Sequence, residues 1–200
     1  TLRNNSVPCS AATFDIMLTY IARMKILIIY YSFTSSVERL AGSIQAFLSP
    51  SHQVSLATIR PERDRSYWHW LLLSFIPRSS VAIKAPAPDP TCFDRVCLGF
   101  PKWTFSCPPL NRYLSAFPKL SPDACFGLFM SFGGFDEERY LQGIARRVSR
   151  KGRLAATLAV KRRRIESPEA GLLVRRFCDS LIEAPSPAVE LKLDRPRTIE

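Results

Sequence analysis

Two histidines and no Cys-x-x-Cys pair leave this chain without the makings of a zinc site. His52 and His69 stand apart among six scattered cysteines, Cys9, Cys92, Cys97, Cys107, Cys125 and Cys178. Such spacing reads as reduced thiols of a cytoplasmic protein, several of them buried on strands. Long apolar runs are missing as well. None reaches the roughly 18–20 residues that a membrane-spanning helix needs. The apolar stretch from Thr13 to Ile21 is interrupted by Asp15 and followed by no small-residue cleavage site, so it does not read as a signal peptide. Glycine is scarce, eight in 200 residues. Neither the Gly-x-Gly-x-x-Gly of a dinucleotide site nor the lysine-bearing glycine loop of a nucleoside triphosphate site occurs. No catalytic triad, carboxylate pair or internal repeat stands out.

Acidic residues are absent from one long interval. Between Arg139 and Arg164 lie Arg146, Arg147, Arg150, Lys151, Arg153, Lys161, Arg162 and Arg163, with no Asp or Glu. The formal net charge is +11, and this stretch holds nearly all of the excess. A basic face implies an anionic partner. No nucleic-acid motif accompanies it, so sequence-specific nucleic-acid binding is not expected.

What is present is a rhythm of strand-like and helix-like segments. Lys25 to Tyr31 is a continuous β-rich run, as in a parallel strand buried on both faces. From Ser35 to Leu48 the apolar residues Val37, Leu40, Ala41, Ile44, Phe47 and Leu48 fall at helical spacing. Further strands are expected at Gln53–Ile59, Asp94–Gly99, Ala124–Ser131 and Arg153–Val160. Helices are expected at Pro108–Phe117, Asp136–Lys151 and Pro168–Ile182. The alternation predicts an α/β domain: a doubly wound five-stranded parallel sheet with order 2-1-3-4-5, covered on both faces. The domain is expected to span 24–183. Residues 1–23 read as an extension upstream of a natural start at Met24, and the proline-rich 184–200 as a loose tail.

The interval from Arg60 to Pro90 breaks the rhythm. Tyr67, Trp68, Trp70, Leu71, Leu72, Leu73, Phe75 and Ile76 are flanked by Arg60, Arg63, Arg65 and Arg78, and Pro86, Pro88 and Pro90 read as a linker. One reading is a second crossover helix packed on the sheet. The other is an interfacial anchor, peripheral to the inner membrane face, with aromatics and arginines at headgroup level. A helix apolar on nearly all sides cannot bury everything against one sheet face. The surplus over Tyr67 to Ile76 is expected to meet a partner subunit, in a homo-oligomer, or an anionic membrane surface.

In such a sheet, ligands bind beyond the carboxyl ends of the strands, where the strand order switches. Three loops there look specialised. Ser32-Phe33-Thr34-Ser35-Ser36-Val37 offers hydroxyls and backbone N–H groups at a helix N-terminus, suited to a phosphate monoester or to ordinary helix capping. Gly99-Phe100-Pro101-Lys102-Trp103-Thr104 presents a tryptophan on a rigid proline turn, able to stack on a flat ring or to fill the core. Ser131-Phe132-Gly133-Gly134-Phe135 has two glycines that let backbone approach a planar ligand.

The run KILIIYYSFTSSVERLA resembles the opening strand and phosphate loop of flavodoxins and related flavoproteins, with Ser35, Ser36 and Val37 where the family usually has Gly-Asn-Thr. DRVCLGFPKW resembles the family's third strand and Gly-x-Pro-x-Trp loop, and CFGLFMSFGGF its fourth strand and flavin-facing loop. The resemblance covers roughly Met24 to Ile182 and implies FMN. It assigns the phosphate to Ser32, Thr34, Ser35, Ser36 and Val37. Pro101, Lys102, Trp103 and Thr104 flank one side of the isoalloxazine, and Ser131, Phe132, Gly133 and Gly134 the other.

The expected function is an FMN-dependent NAD(P)H oxidoreductase acting on a quinone or similar acceptor, with chemistry carried by the flavin and no catalytic side chain. The basic stretch would attract the nicotinamide phosphates. Two alternatives are a non-enzymatic electron carrier docking on a redox protein and a flavin-free basic binding module.

Overall fold

The computed structural model describes residues 23–84, 88–121 and 124–184. The expected features at Thr13–Ile21, Cys9 and Pro86, and the tail from Pro185 onward, lie outside the described residues.

Five parallel strands form the main sheet: β1 (Lys25–Tyr30), β2 (Gln53–Thr58), β5 (Arg95–Pro101), β6 (Cys125–Phe132) and β7 (Arg153–Lys161). Their spatial order is β2-β1-β5-β6-β7, which is 2-1-3-4-5 when the five are counted along the chain. Strand side chains alternate between two cores. Ile26, Ile28 and Tyr30 of β1 pack towards helices α1 (Ser36–Leu48) and α5 (Pro168–Glu183). Leu27 and Ile29 pack towards α3 (Pro108–Ala116) and α4 (Glu137–Val148). Burial on both faces is why β1, β5 and β6 read as unbroken apolar runs rather than alternating ones.

One glycine is required by this packing. Gly99 pairs in register with Phe129, and a Cβ on Gly99 would lie 2.2 Å from that ring. At the other end of β5, the buried Arg95 guanidinium donates to the carbonyls of Leu181 and Ala184, satisfying the C-terminal end of α5.

The interval after β2 departs from the crossover-helix expectation. It opens with β3 (Arg60–Pro61), which pairs antiparallel with β4 (Ile83–Lys84) in a small separate ribbon. Between them, α2 (Tyr67–Ser74) is a short helix that buries only Trp70 and Ser74. It does not cover a sheet face, because β3 and β4 fold the chain back over the carboxyl edge before it can run along the strands. The expected linker survives as a turn of 3-10 helix at Pro90–Cys92, capped by Asp89.

The basic stretch is divided by the fold. Arg153 opens β7 and Lys161 closes it. At about 3.3 Å per residue, those ends lie roughly 25–30 Å apart. Arg150, Lys151 and Arg153 therefore sit at the amino edge of the sheet, and Lys161 to Arg164 at the carboxyl edge.

Candidate functional site

A cleft of about 130 Å3 opens at the carboxyl edge, between the loops that follow β1, β5 and β6. This is the place where the strand order reverses. Its walls include Thr34, Pro101, Lys102, Trp103, Ser131, Phe132, Gly133 and Gly134, all singled out from the sequence. The loops are cross-linked: the Lys102 backbone N–H donates to the Ser131 carbonyl at 2.8 Å. Lys102 Nζ donates to the Phe135 carbonyl at 2.6 Å, closing the gap between the second and third loops.

The remaining expected residues divide into two groups. Ser32, Ser35, Ser36 and Val37 lie along the first loop and the start of α1. The Val37 side chain belongs to the core, so only its backbone N–H is available for a ligand. Thr104 is directed to α2, where its hydroxyl pairs with Ser74 Oγ at 2.7 Å.

Two features of the first loop suit an anion. Ser35 stands at the N-cap of α1 with φ 55°, ψ −2°, in the left-handed region, and makes no side-chain cap. The first N–H groups of a helix have no partner within it, so they remain directed outward here. Ser32 Oγ is buried with no hydrogen-bond partner. A buried hydroxyl without a partner costs about 1–3 kcal/mol, and an anion in the loop would supply that partner. Thr34 Oγ1 and Ser36 Oγ lie 3.2 Å apart and hold the loop's shape. Ser35 holds a left-handed backbone conformation of the kind that glycine favours.

Aromatic rings build one wall. Trp103 is surrounded by Phe33 at 5.7 Å, Trp70 and Tyr67 at 6.2 Å, and Tyr31 at 6.5 Å between centroids. Burial is the main cause of a raised Tyr31 pKa, so its phenol stays protonated. The buried Cys107 thiol is pushed up to about 12, again by burial, which keeps it from acting as a thiolate nucleophile. Among the described residues no group of three or more His, Cys, Asp or Glu side chains could hold a metal ion.

Sequence reasoning missed four lining residues: Phe33, Tyr67, Leu71 and Arg162. Arg162 lies against Gly133, where an added Cβ would meet its guanidinium at 2.8 Å. Its position directly after the fifth strand of the main sheet was the available signal, since every strand's carboxyl end feeds this edge. Lys102 and Arg162 make the cleft cationic, and among the described residues no carboxylate lines it.

The doubly wound sheet and edge cleft define a flavodoxin-like fold. Solved structures share it: the Lactobacillus acidophilus flavoprotein in complex with FMN has a TM-score of 0.52 at 13% identity, covering 68% of this chain and 93% of that one. Megasphaera elsdenii flavodoxin in its two-electron reduced state has a TM-score of 0.54 at 18% identity, covering 80% and 99%. Oxidised flavodoxin 2 of Bacillus cereus has 0.52 at 18%, covering 80% and 98%. No family model matches the sequence. An uncharacterized protein of Archaeoglobus fulgidus is 35% identical over 142 residues, which cover 70% of this chain and 88% of the relative. This chain belongs to the same family as that archaeal protein.

Proposed function

We propose that the protein is an FMN-binding flavoprotein and that it uses the flavin to pass electrons from NAD(P)H to a quinone-type acceptor. The observation that carries the FMN reading is the buried, unpartnered Ser32 Oγ beside the uncapped N-terminus of α1. Both features suit a phosphate monoester. The similarity in fold to a flavoprotein solved with FMN supports the same reading. Thr34, Ser35 and Ser36 would hold the phosphate together with Ser32. Trp103 and the Gly133–Gly134 backbone would bound the ring, and Lys102 and Arg162 would offer N–H donors to its oxygens.

When bound, FMN supplies hydride acceptance from the nicotinamide and delivery of electrons to the acceptor. The protein's part is to bind and orient. Aromatic packing around Trp103 excludes water from one side of the cleft, and the cationic lining favours electron-rich, anionic states of a bound group.

The absorption spectrum of the purified protein tests the flavin. Flavin bands, or their recovery after FMN addition, are expected. FMN should also quench tryptophan emission, and Trp103→Phe should remove most of the quench. A protein that stays colourless and binds no added FMN overturns the reading. NAD(P)H oxidation that depends on a water-soluble quinone tests the reductase activity and separates it from a simple electron carrier.

A further inference from the structure

The face of α2 that turns away from the sheet exposes several large apolar side chains. Trp68 is 70% exposed, Leu72 68%, Phe75 52% and Ile76 56%. Trp68 and Leu72, at i and i+4, share one face of the helix, and Phe75 and Ile76 extend the apolar stripe into the turn that ends it. The stripe continues onto the loop after β5 through Phe105, itself exposed, whose ring lies 6.3 Å from that of Phe75. At the other end Tyr67 joins it to the cleft, packing on Phe33 at 6.1 Å and lining the cleft with Leu71. Contiguous apolar patches of this kind on soluble chains mark interaction sites.

The patch is held in place rather than hung on a loose loop. The Phe105 N–H donates to the Ser74 carbonyl at 3.0 Å. Ser74 Oγ pairs with Thr104 Oγ1 at 2.7 Å, Ser79 Oγ with Ser106 Oγ at 3.1 Å, and Asn111 Nδ2 donates to the Ser79 carbonyl at 2.8 Å. These bonds orient the apolar stripe outward before any partner arrives.

Charge around the patch is mainly basic. From Ser66 to Lys84 the chain contains Arg78 and Lys84 and no Asp or Glu. From Pro101 to Ala116, the loop that carries Phe105 and the helix after it, it contains Lys102 and Arg112 and again no acidic residue. Arg63 and Arg65 precede α2 on the exposed turn, alongside Glu62 and Asp64.

We propose that this face docks on an anionic lipid bilayer, with α2 lying in the plane of the headgroups. Trp68 and Tyr67 suit the interfacial level, Leu72, Phe75 and Ile76 the acyl boundary beneath it, and Arg78 the lipid phosphates. Eight residues rise only about 12 Å, so the helix lies on the membrane and does not cross it. A second copy of this chain fits the face less well, because a two-fold contact would bring Arg63, Arg65, Arg78 and Lys84 of both copies together, with only Glu62 and Asp64 of each to pair them. The docked orientation turns the mouth of the cleft towards the lipid, where a lipophilic quinone resides. That last step rests on the proposed flavin function. Docking itself does not.

Co-sedimentation of the full chain with vesicles tests it, with FMN titrated in parallel so that failure of docking and failure of flavin binding are seen separately. The protein is expected to pellet with phosphatidylglycerol vesicles at low salt, to be released at high salt, and to stay in the supernatant with phosphatidylcholine. Trp68 emission should shift to the blue on binding, and the shift should vanish in Trp68→Phe. The double change Trp68→Ser, Leu72→Ser, at two exposed positions, should weaken partitioning by about tenfold or more. Arg78→Glu should weaken it independently with the apolar stripe intact. Protein left in the supernatant with phosphatidylglycerol at low salt overturns the proposal, as does equal binding to both lipids. A concentration-dependent dimer that the double change renders monomeric, without vesicle binding, overturns it in favour of a second copy. Selective binding to an acidic protein in place of vesicles does so in favour of a protein partner.

Discussion

Helices α1 and α2 follow neighbouring strands at the same edge of the sheet, and they meet opposite fates. α1 buries Val37, Leu40, Ala41, Ile44 and Leu48 in one stripe against β1 and α5. α2 is the more apolar by composition, yet it buries Trp70 and Ser74 and leaves Trp68 and Leu72 in the open. What separates them is the arrangement of the apolar residues. A stripe at helical spacing gives a helix one face to bury and one to leave wet. A helix apolar on all sides has no such instruction, so its place is decided by the segments that flank it. Here β3 and β4 hold α2 over the cleft.

The comparison predicts a large difference in folding energy. Ile44→Ala in α1 should destabilise the protein by about 2–5 kcal/mol, since it opens a cavity in a closed core. Leu72→Ala in α2 should cost less than about 0.5 kcal/mol. Urea unfolding of both variants checks this, and similar losses would mean that α2 is a core element after all.

Ligand binding should sharpen the contrast from the other side. Thr34→Ala, next to the start of α1, should weaken FMN binding by ~1.5–3 kcal/mol, the range for a hydrogen bond to a charged group. Leu72→Ala should leave the FMN dissociation constant unchanged. Fluorescence titration measures both, and an unaltered constant for Thr34→Ala would remove that hydroxyl from the phosphate site.

A smaller effect is shared by the two helices. Ser35 before α1 and Arg78 after α2 both have positive φ, 55° and 59°. Glycine relieves that strain, so Ser35→Gly and Arg78→Gly should each stabilise by about 1 kcal/mol in thermal unfolding. If only Ser35→Gly gains, the turn after α2 is less constrained than the one before α1.

The smallest expected effect concerns pH. His52, just past α1, is buried, and burial lowers its pKa. The unfolded chain then takes up a proton near pH 6.5 that the folded protein refuses. Stability should therefore fall as pH drops below about 6.5, until the folded-state pKa is also passed. His52→Gln should flatten that part of the curve. Nδ1 of His52 is buried without a partner, so the neutral ring is the form the fold tolerates.

Much of the cleft was legible because the strand ends are. Once Lys25–Tyr31, Asp94–Gly99 and Ala124–Ser131 are recognised as buried parallel strands, the loops after them must share one edge. Thr34, Pro101, Lys102, Trp103, Ser131, Phe132, Gly133 and Gly134 are brought together on that basis. Thr104 differs because its hydroxyl found a closer partner in Ser74, on a helix whose position no local pattern specifies. Tyr67 and Leu71 were legible as apolar residues but not as cleft residues, for the same reason. Arg162 was hidden in a basic run that looked uniform until β7 carried its two ends to opposite edges of the sheet.

By itself the sequence determined the five-stranded doubly wound sheet, its strand order and the edge on which a ligand would sit. Those follow from continuous apolar strands, striped helices and right-handed crossovers, all local or nearly local patterns. Tertiary structure alone decided where α2 lies, which of the arginines face the cleft, and that Ser35 takes up a left-handed backbone conformation in the loop after β1. Each of these depends on contacts between segments far apart in the chain, and no periodicity within a segment records them.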